Sequence, residues 1–444
     1  MTGFSAWACL FSLLLAMMMT MPAHAEWREA TSPHFVIVSQ ASERQTIDTA
    51  RKLEAVHWLL TQATGRRDAS DGRRVRIYLL GTVAEVIEGA AQPANTSMIA
   101  IYMGHPLGPI VLAPRSEPIG IIFHEYAHHF MAEYMPVEFP PWYVEGFAEI
   151  VSTTSFERNG TITYGKVANH RQAELTYVRW TPTAQMFAER SSGAGHAGVA
   201  SYGQYWLTAH YLLFAAERRG QLQRFVAAIN SGQDANAASA ASFPGGVAQL
   251  DSDLRAYLRR ADFRYVAPVL PPEVMRDPVM RLMRPGEAAA IDLEIEAIRT
   301  RGSEDNAALA GRVAALAALH PTEPVIYNLH SAVLTMAEQW RDAEQAADRA
   351  IAIDPANARA NALRAYATLR AANDEGSIDE EALTSARVYA DRARASDARE
   401  PALQASAMIF RQIGSAGDDG TNDRQRTMLT MSPQQGEHFR AALD

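Results

Sequence analysis

The sequence predicts an α+β domain followed by an all-α helical repeat domain. Three observations carry this reading. Up to about residue 114, short β-branched runs alternate with stretches of helical periodicity. A His-Glu-x-x-His helix at Ile121–Phe130 and a second helix after Pro140-Pro141 then follow. Beyond residue 302 the composition shifts to Ala, Arg, Asp and Glu, and Leu319-His320-Pro321 recurs as Ile353-Asp354-Pro355 after 34 residues.

Residues 1–25 read as an export signal. Trp7 to Met21 is an apolar run too short for a membrane span, and Ala23-His24-Ala25 offers a small-x-small cleavage site. No Lys or Arg precedes the run, so an uncleaved anchor is the alternative. Cleavage leaves an exported, periplasmic chain with no stable membrane insertion. Cys9 is the only cysteine of the 444 residues, so the mature chain has no disulfide and no thiolate metal ligand. A net charge of -9 without a polybasic block argues against nucleic acid as a partner.

From residue 26 to 265 the chain reads as one mixed domain. His34 to Ser39 is a strand, residues 43–63 a helix, Arg74 to Leu80 a strand, and Val83 to Gly89 a short helix. Ser97 to Tyr102 and Pro109 to Ala113 form two further strands, and Pro109 and Pro114 suit an edge.

The motif helix carries the chemistry. A four-residue spacing puts His124 and His128 on one helical face, one turn apart. Two neutral imidazoles there can hold one Zn²⁺, and Glu125 is placed to take a proton from water. His129 lies about 100° further round the helix and cannot share that ion. A third donor is available on the second helix, where Glu145 faces inward and Glu149 lies one turn further along. His34, His57, His105, His170 and His196 have no ligand-like spacing and read as surface or hydrogen-bonded core residues.

His124-Glu125-Tyr126-Ala127-His128, followed after sixteen residues by Glu145 in Val-Glu-Gly-Phe-Ala, resembles the gluzincin metallopeptidases of the peptidase MA-like group. The resemblance implies a zincin-like α+β fold and one Zn²⁺ per chain, bound by His124, His128 and Glu145. It implies Glu125 as general base and Glu149 as the carboxylate that orients a ligand histidine. Val144 stands where the family commonly has Asn, a departure that bears on substrate contacts. The resemblance also implies substrate binding by strand addition at Ile110-Val111-Leu112, with a core-filling hairpin as the other reading. Ala188 to Gly198 is rich in Gly and Ser and suits a mobile cover. The helix beginning at Ser201 looks like the one that follows the metal site in such proteins. Tyr202 is then a candidate oxyanion donor, with His210 second; the other reading makes Tyr202, Tyr205 and Trp206 aromatic core.

Residues 266–302, punctuated by Pro268, Pro271, Pro272, Pro278 and Pro285, read as a linker. Residues 303–414 resemble tetratricopeptide repeats. Ser331, Ala343 and Ala350 fall where helices approach closely, and Tyr327 takes the first aromatic position. Ala347-Asp348-Arg349-Ala350 recurs as Ala390-Asp391-Arg392-Ala393 after 43 residues, which implies an insertion near Asn373 to Glu380. Residues 415–444 read as a flexible tail. The expectation is an exported zinc metallopeptidase acting on peptides or proteins, with the repeats binding a partner or extended substrate. The alternative is an inactive zincin-fold adaptor in cell-envelope assembly.

Overall fold

The structure, a computed structural model, describes residues 26–68, 72–92, 99–105, 108–135, 137–189, 200–260, 262–300, 302–376 and 378–403. The signal segment, most of the expected cover, His196 and the C-terminal tail lie outside the described residues.

The fold is α+β: a mixed six-stranded sheet followed by many helices. The strands are β1 (Arg28–Thr31), β2 (Phe35–Ser39), β3 (Val75–Leu80), β4 (Ile101–His105), β5 (Gly108–Pro114) and β8 (Val279–Leu282), in the spatial order β4-β5-β3-β2-β1-β8; β6 (Ser155–Phe156) and β7 (Ile162–Thr163) form a separate pair. The β2–β3 and β3–β5 pairs are parallel, and the other pairs of the large sheet are antiparallel. Helices α1 (Glu43–Thr64) and α2 (Val83–Gly89) are the crossovers that these parallel pairs require.

Alternation along the strands gives the sheet two buried faces. Phe35, Ile37, Val75, Ile77, Val111 and Ala113 pack in one core with α1, with the motif helix α3 (Gly120–Tyr134) and with α4 (Pro141–Ser152). Val38, Tyr78, Leu80, Ile110 and Leu112 pack in the other with residues 290–403. Short helices α5 (Gln172–Tyr177) and α6 (Thr183–Phe187) lead to α7 (Tyr202–Phe214), and α8 (Gln221–Asn230), α9 (Ala235–Ser242) and α10 (Gly246–Arg260) complete this region.

One expectation needs correction. Ile110-Val111-Leu112 is not an edge: β5 lies between β4 and β3, and β4 is the outer strand. The prolines are tolerated because Pro109 precedes the register with β3, which starts at Ile110, and Pro114 closes the strand. The stretch read as a linker carries regular elements of its own. Val266 and Val269 bridge to Tyr164 and Thr161, and β8 extends the sheet beside β1. Proline at its first turn then starts α11 (Pro285–Arg299).

Helices α12 (Ser303–Leu319), α13 (Pro324–Met336), α14 (Trp340–Ile353), α15 (Ala358–Asp374) and α16 (Glu380–Ser396) pack consecutively on one another. Ser331, Ala343 and Ala350 are fully buried, and the Ser331 hydroxyl donates to the Ala343 carbonyl at 2.8 Å. The expected insertion coincides with the end of α15 and the turn before α16. No described helix is long and apolar enough to cross a membrane.

Candidate metal centre

Helix α3 has no side-chain cap at its start, so burial rather than local capping holds it in place. Phe123, Tyr126, Ala127 and Phe130 face the core, leaving His124 and His128 on the face toward α4 and α7. Helix α4 approaches that face closely. A side chain at Gly120 would meet the Ser152 carbonyl, and one at Gly146 would meet the Tyr205 carbonyl at 2.4 Å. The glycine beside Glu145 therefore lets α7 lie against α4 and brings Tyr202 toward the motif.

The donors converge. Glu145 Oε2 lies 3.4 Å from His124 Nε2 and 3.7 Å from His128 Nε2. The two imidazoles meet edge-to-face, with centroids 4.9 Å apart and planes at 78°. Glu145 Oε2 is buried without a hydrogen-bond partner among the described residues, an arrangement that costs free energy unless a cation answers it.

Charge around the donors points the same way. Burial pulls the His124 imidazole down, but Glu145, Glu149 and Glu125 outweigh it and raise the group to about 10. Burial and the adjacent His124 charge push His128 down. Burial opposes ionisation of Glu145, yet His124 and His128 hold it below the usual carboxylate range. Carboxylates that favour a positive charge on His124 would favour a cation at the same point. Two imidazoles and one carboxylate suit zinc, with room left for a fourth, non-protein ligand.

Glu149 is 1% exposed and stands behind His124. It pairs with His124 Nδ1 at 3.2 Å and accepts from His170 Nε2 at 2.9 Å and from Arg171 Nη2 and Nε at 2.7 and 3.0 Å. Burial alone would raise this carboxyl; the three partners instead hold it well below the usual range. With Nδ1 engaged, His124 presents Nε2 toward Glu145 and His128. Arg171 also lies 4.8 Å over the Tyr202 ring, and Tyr202 stands 6.2 Å from the His124 ring. Glu125 is anchored from the other side, where the backbone N–H of Tyr102 donates to Oε2 at 2.7 Å.

Every residue in the expected ligand and base set is thus brought together, and Tyr202 lies beside them. His210 is not. It is fully buried, bonded to the Gly165 carbonyl and the Tyr257 hydroxyl and stacked on Phe214, so it belongs to the core. His129 is buried near the Tyr102 hydroxyl, with burial pushing it down to about 3. His170 and Arg171 were not identified from sequence, because their spacing from the motif has no helical or strand period to betray it. Compared with protein-family models and with curated proteins, the chain matches none.

Proposed function

We propose that the chain is an exported zinc-dependent metallopeptidase of the gluzincin kind, joining a zincin-like domain to tetratricopeptide-like repeats. The observation that carries this reading is the buried, unpartnered Glu145 Oε2 facing both motif imidazoles at 3.4 and 3.7 Å. His124, His128 and Glu145 would hold the ion. When bound, zinc supplies Lewis acidity and a water acidic enough to react near neutral pH.

The remaining work falls to this chain's own groups. Glu125 accepts the proton of the attacking water and delivers it to the leaving amine. The Tyr102 amide holds one oxygen of that carboxylate in place. Glu149, fastened by His170 and Arg171, keeps the His124 ring turned toward the site. Burial raises the Tyr202 hydroxyl pKa, so it stays protonated and can donate to a developing oxyanion. The outer edge of β4 offers backbone groups to an extended peptide substrate. Export and a periplasmic location rest on residues 1–25 of the sequence.

The repeats suit a protein partner or an extended part of the substrate. Val325, Asn328, Leu329 and Arg359 already face Arg76, Tyr78 and Ile110 of the sheet across a cavity of about 150 Å³. A partner therefore docks on other faces of the repeats.

The test is to incubate the mature protein and Glu125→Gln with an unfolded, proteome-derived peptide mixture and read the cuts by mass spectrometry. Cuts made only by the unmutated protein are expected. Equal cutting by both would refute Glu125 as the base, and no cutting by either would favour the adaptor.

A further inference from the structure

We propose that His34, His57 and Asp68 form a second divalent-cation site, separate from the motif helix ligands. His34 immediately precedes β2, His57 lies in the second half of α1, and Asp68 follows α1. One donor atom from each falls within 4.8 Å of the others.

Both rings are oriented from behind. His34 Nδ1 lies 2.6 Å from Glu54 Oε2, and His57 Nδ1 lies 2.6 Å from the Tyr126 hydroxyl. This pattern, with one ring nitrogen tied to a carboxylate or hydroxyl, is how metal-binding histidines are presented. The two free nitrogens converge on one oxygen: Asp68 Oδ1 is 3.0 Å from His34 Nε2 and 3.7 Å from His57 Nε2.

The two contacts to Asp68 are ion pairs in which both imidazoles share one carboxylate oxygen. His34 and His57 are 7% and 3% exposed, and both Nε2 atoms are buried without a well-aligned hydrogen-bond partner. An ion bonded at about 2.0 Å to tetrahedral nitrogen and oxygen donors spaces them about 3.3 Å apart, between these two separations. The imidazoles select a zinc-class ion over magnesium or calcium.

The charges are compatible. Glu54 and Asp68 contribute two negative charges, and Arg399 Nη2 contributes one positive, donating to Asp68 Oδ2 at 3.1 Å and to Oδ1 at 3.3 Å. The rings now stack with planes at 23°, so binding through both Nε2 atoms requires them to splay toward the 78° of the motif pair. The Asp68 side chain is 43% exposed and gives the ion a way in. Such an ion would tie β2, α1 and the Asp68 loop together behind Tyr126 of the motif helix.

The experiment is zinc loading of the full chain, gel filtration and elemental analysis, on the unmutated protein and on Asp68→Ala, His57→Gln and Glu145→Ala. Two zinc ions per chain are expected, falling to one in each variant, with Asp68→Ala and Glu145→Ala removing different ions and their combination removing both. Circular dichroism identifies a variant that fails to fold, and Asp68→Ala at its exposed position then decides. Zinc content unchanged by Asp68→Ala overturns the proposal whatever Glu145→Ala does. Loss with Asp68→Ala alone supports this site and refutes the motif site.

Discussion

The backbone N–H of Tyr102 donates to the Glu125 carboxylate at 2.7 Å, so the outer strand of the sheet holds the motif glutamate from behind. One Glu125 oxygen is thereby engaged and the other is left for chemistry. Glu125→Gln preserves the shape and the amide contact but cannot take a proton. It should retain its metal while turnover falls about 10²–10⁴-fold, checked by peptide cleavage rates beside zinc analysis.

Glu145 is the one member of the proposed ligand set that α4 carries. Glu145→Ala should weaken zinc binding at the motif at least about 100-fold while leaving the fold intact, since its carboxylate has no other hydrogen-bond partner through Oε2. Competition with a chromogenic chelator measures this directly; an unchanged affinity would remove Glu145 from the ligand set.

Arg171 makes a two-point contact with a carboxylate that is 1% exposed. Arg171→Met leaves Glu149 with only its histidine partners. Breaking a buried pair in this way costs about 3–5 kcal/mol of stability, seen as a lower Tm. Zinc affinity should fall about 10–100-fold, because the His124 ring loses its brace. Lysine should rescue little, having no two-point geometry.

Gly146→Ala places a methyl group 2.4 Å from the Tyr205 carbonyl. Backbone cannot yield as a flexible side chain does, so α4 and α7 must separate. A stability loss of about 1–3 kcal/mol is expected by denaturant unfolding, along with slower turnover as Tyr202 moves off the site.

Asp251 supplies a pH signature away from the metal ligands. Burial opposes its ionisation, but Arg255, Trp180 and Thr183 hold its carboxyl down to about 2. A carboxyl lowered on folding stabilises above its ordinary value near 4, and that stability is lost as pH falls from about 4 to 2. Allowing for solvent screening, the effect is on the order of 1 kcal/mol. Asp251→Asn should therefore unfold more readily at pH 6 but lose less stability between pH 4 and 2, as calorimetry at several pH values would record.

The motif residues were legible because helical spacing is itself geometry: His124 and His128 share a face wherever that stretch is helical. Glu145 and Glu149 were legible for the same reason once Pro141 marked a helix start. The strands β2, β3 and β5 and the helix α1 follow local patterns that their sequences state plainly. Ser331, Ala343 and Ala350 are small where helices touch, and their places could be read by counting back from Pro355.

Other relations have no period. Whether Ile110 sits at an edge depends on where β4 pairs, and pairing is a long-range choice that the prolines left open. His34, His57 and Asp68 meet only because β2 lies against α1 and the loop beyond α1 folds back over both. His170 and Arg171 reach Glu149 across a turn of irregular backbone. The proposed ligand and base residues of the motif could be read from the chain, since their placement depends on spacing within one or two helices. The tertiary structure alone decided which strand is exposed, which groups brace Glu149 and Glu125, and where the second histidine cluster forms, because those depend on segments that only packing of the core brings together.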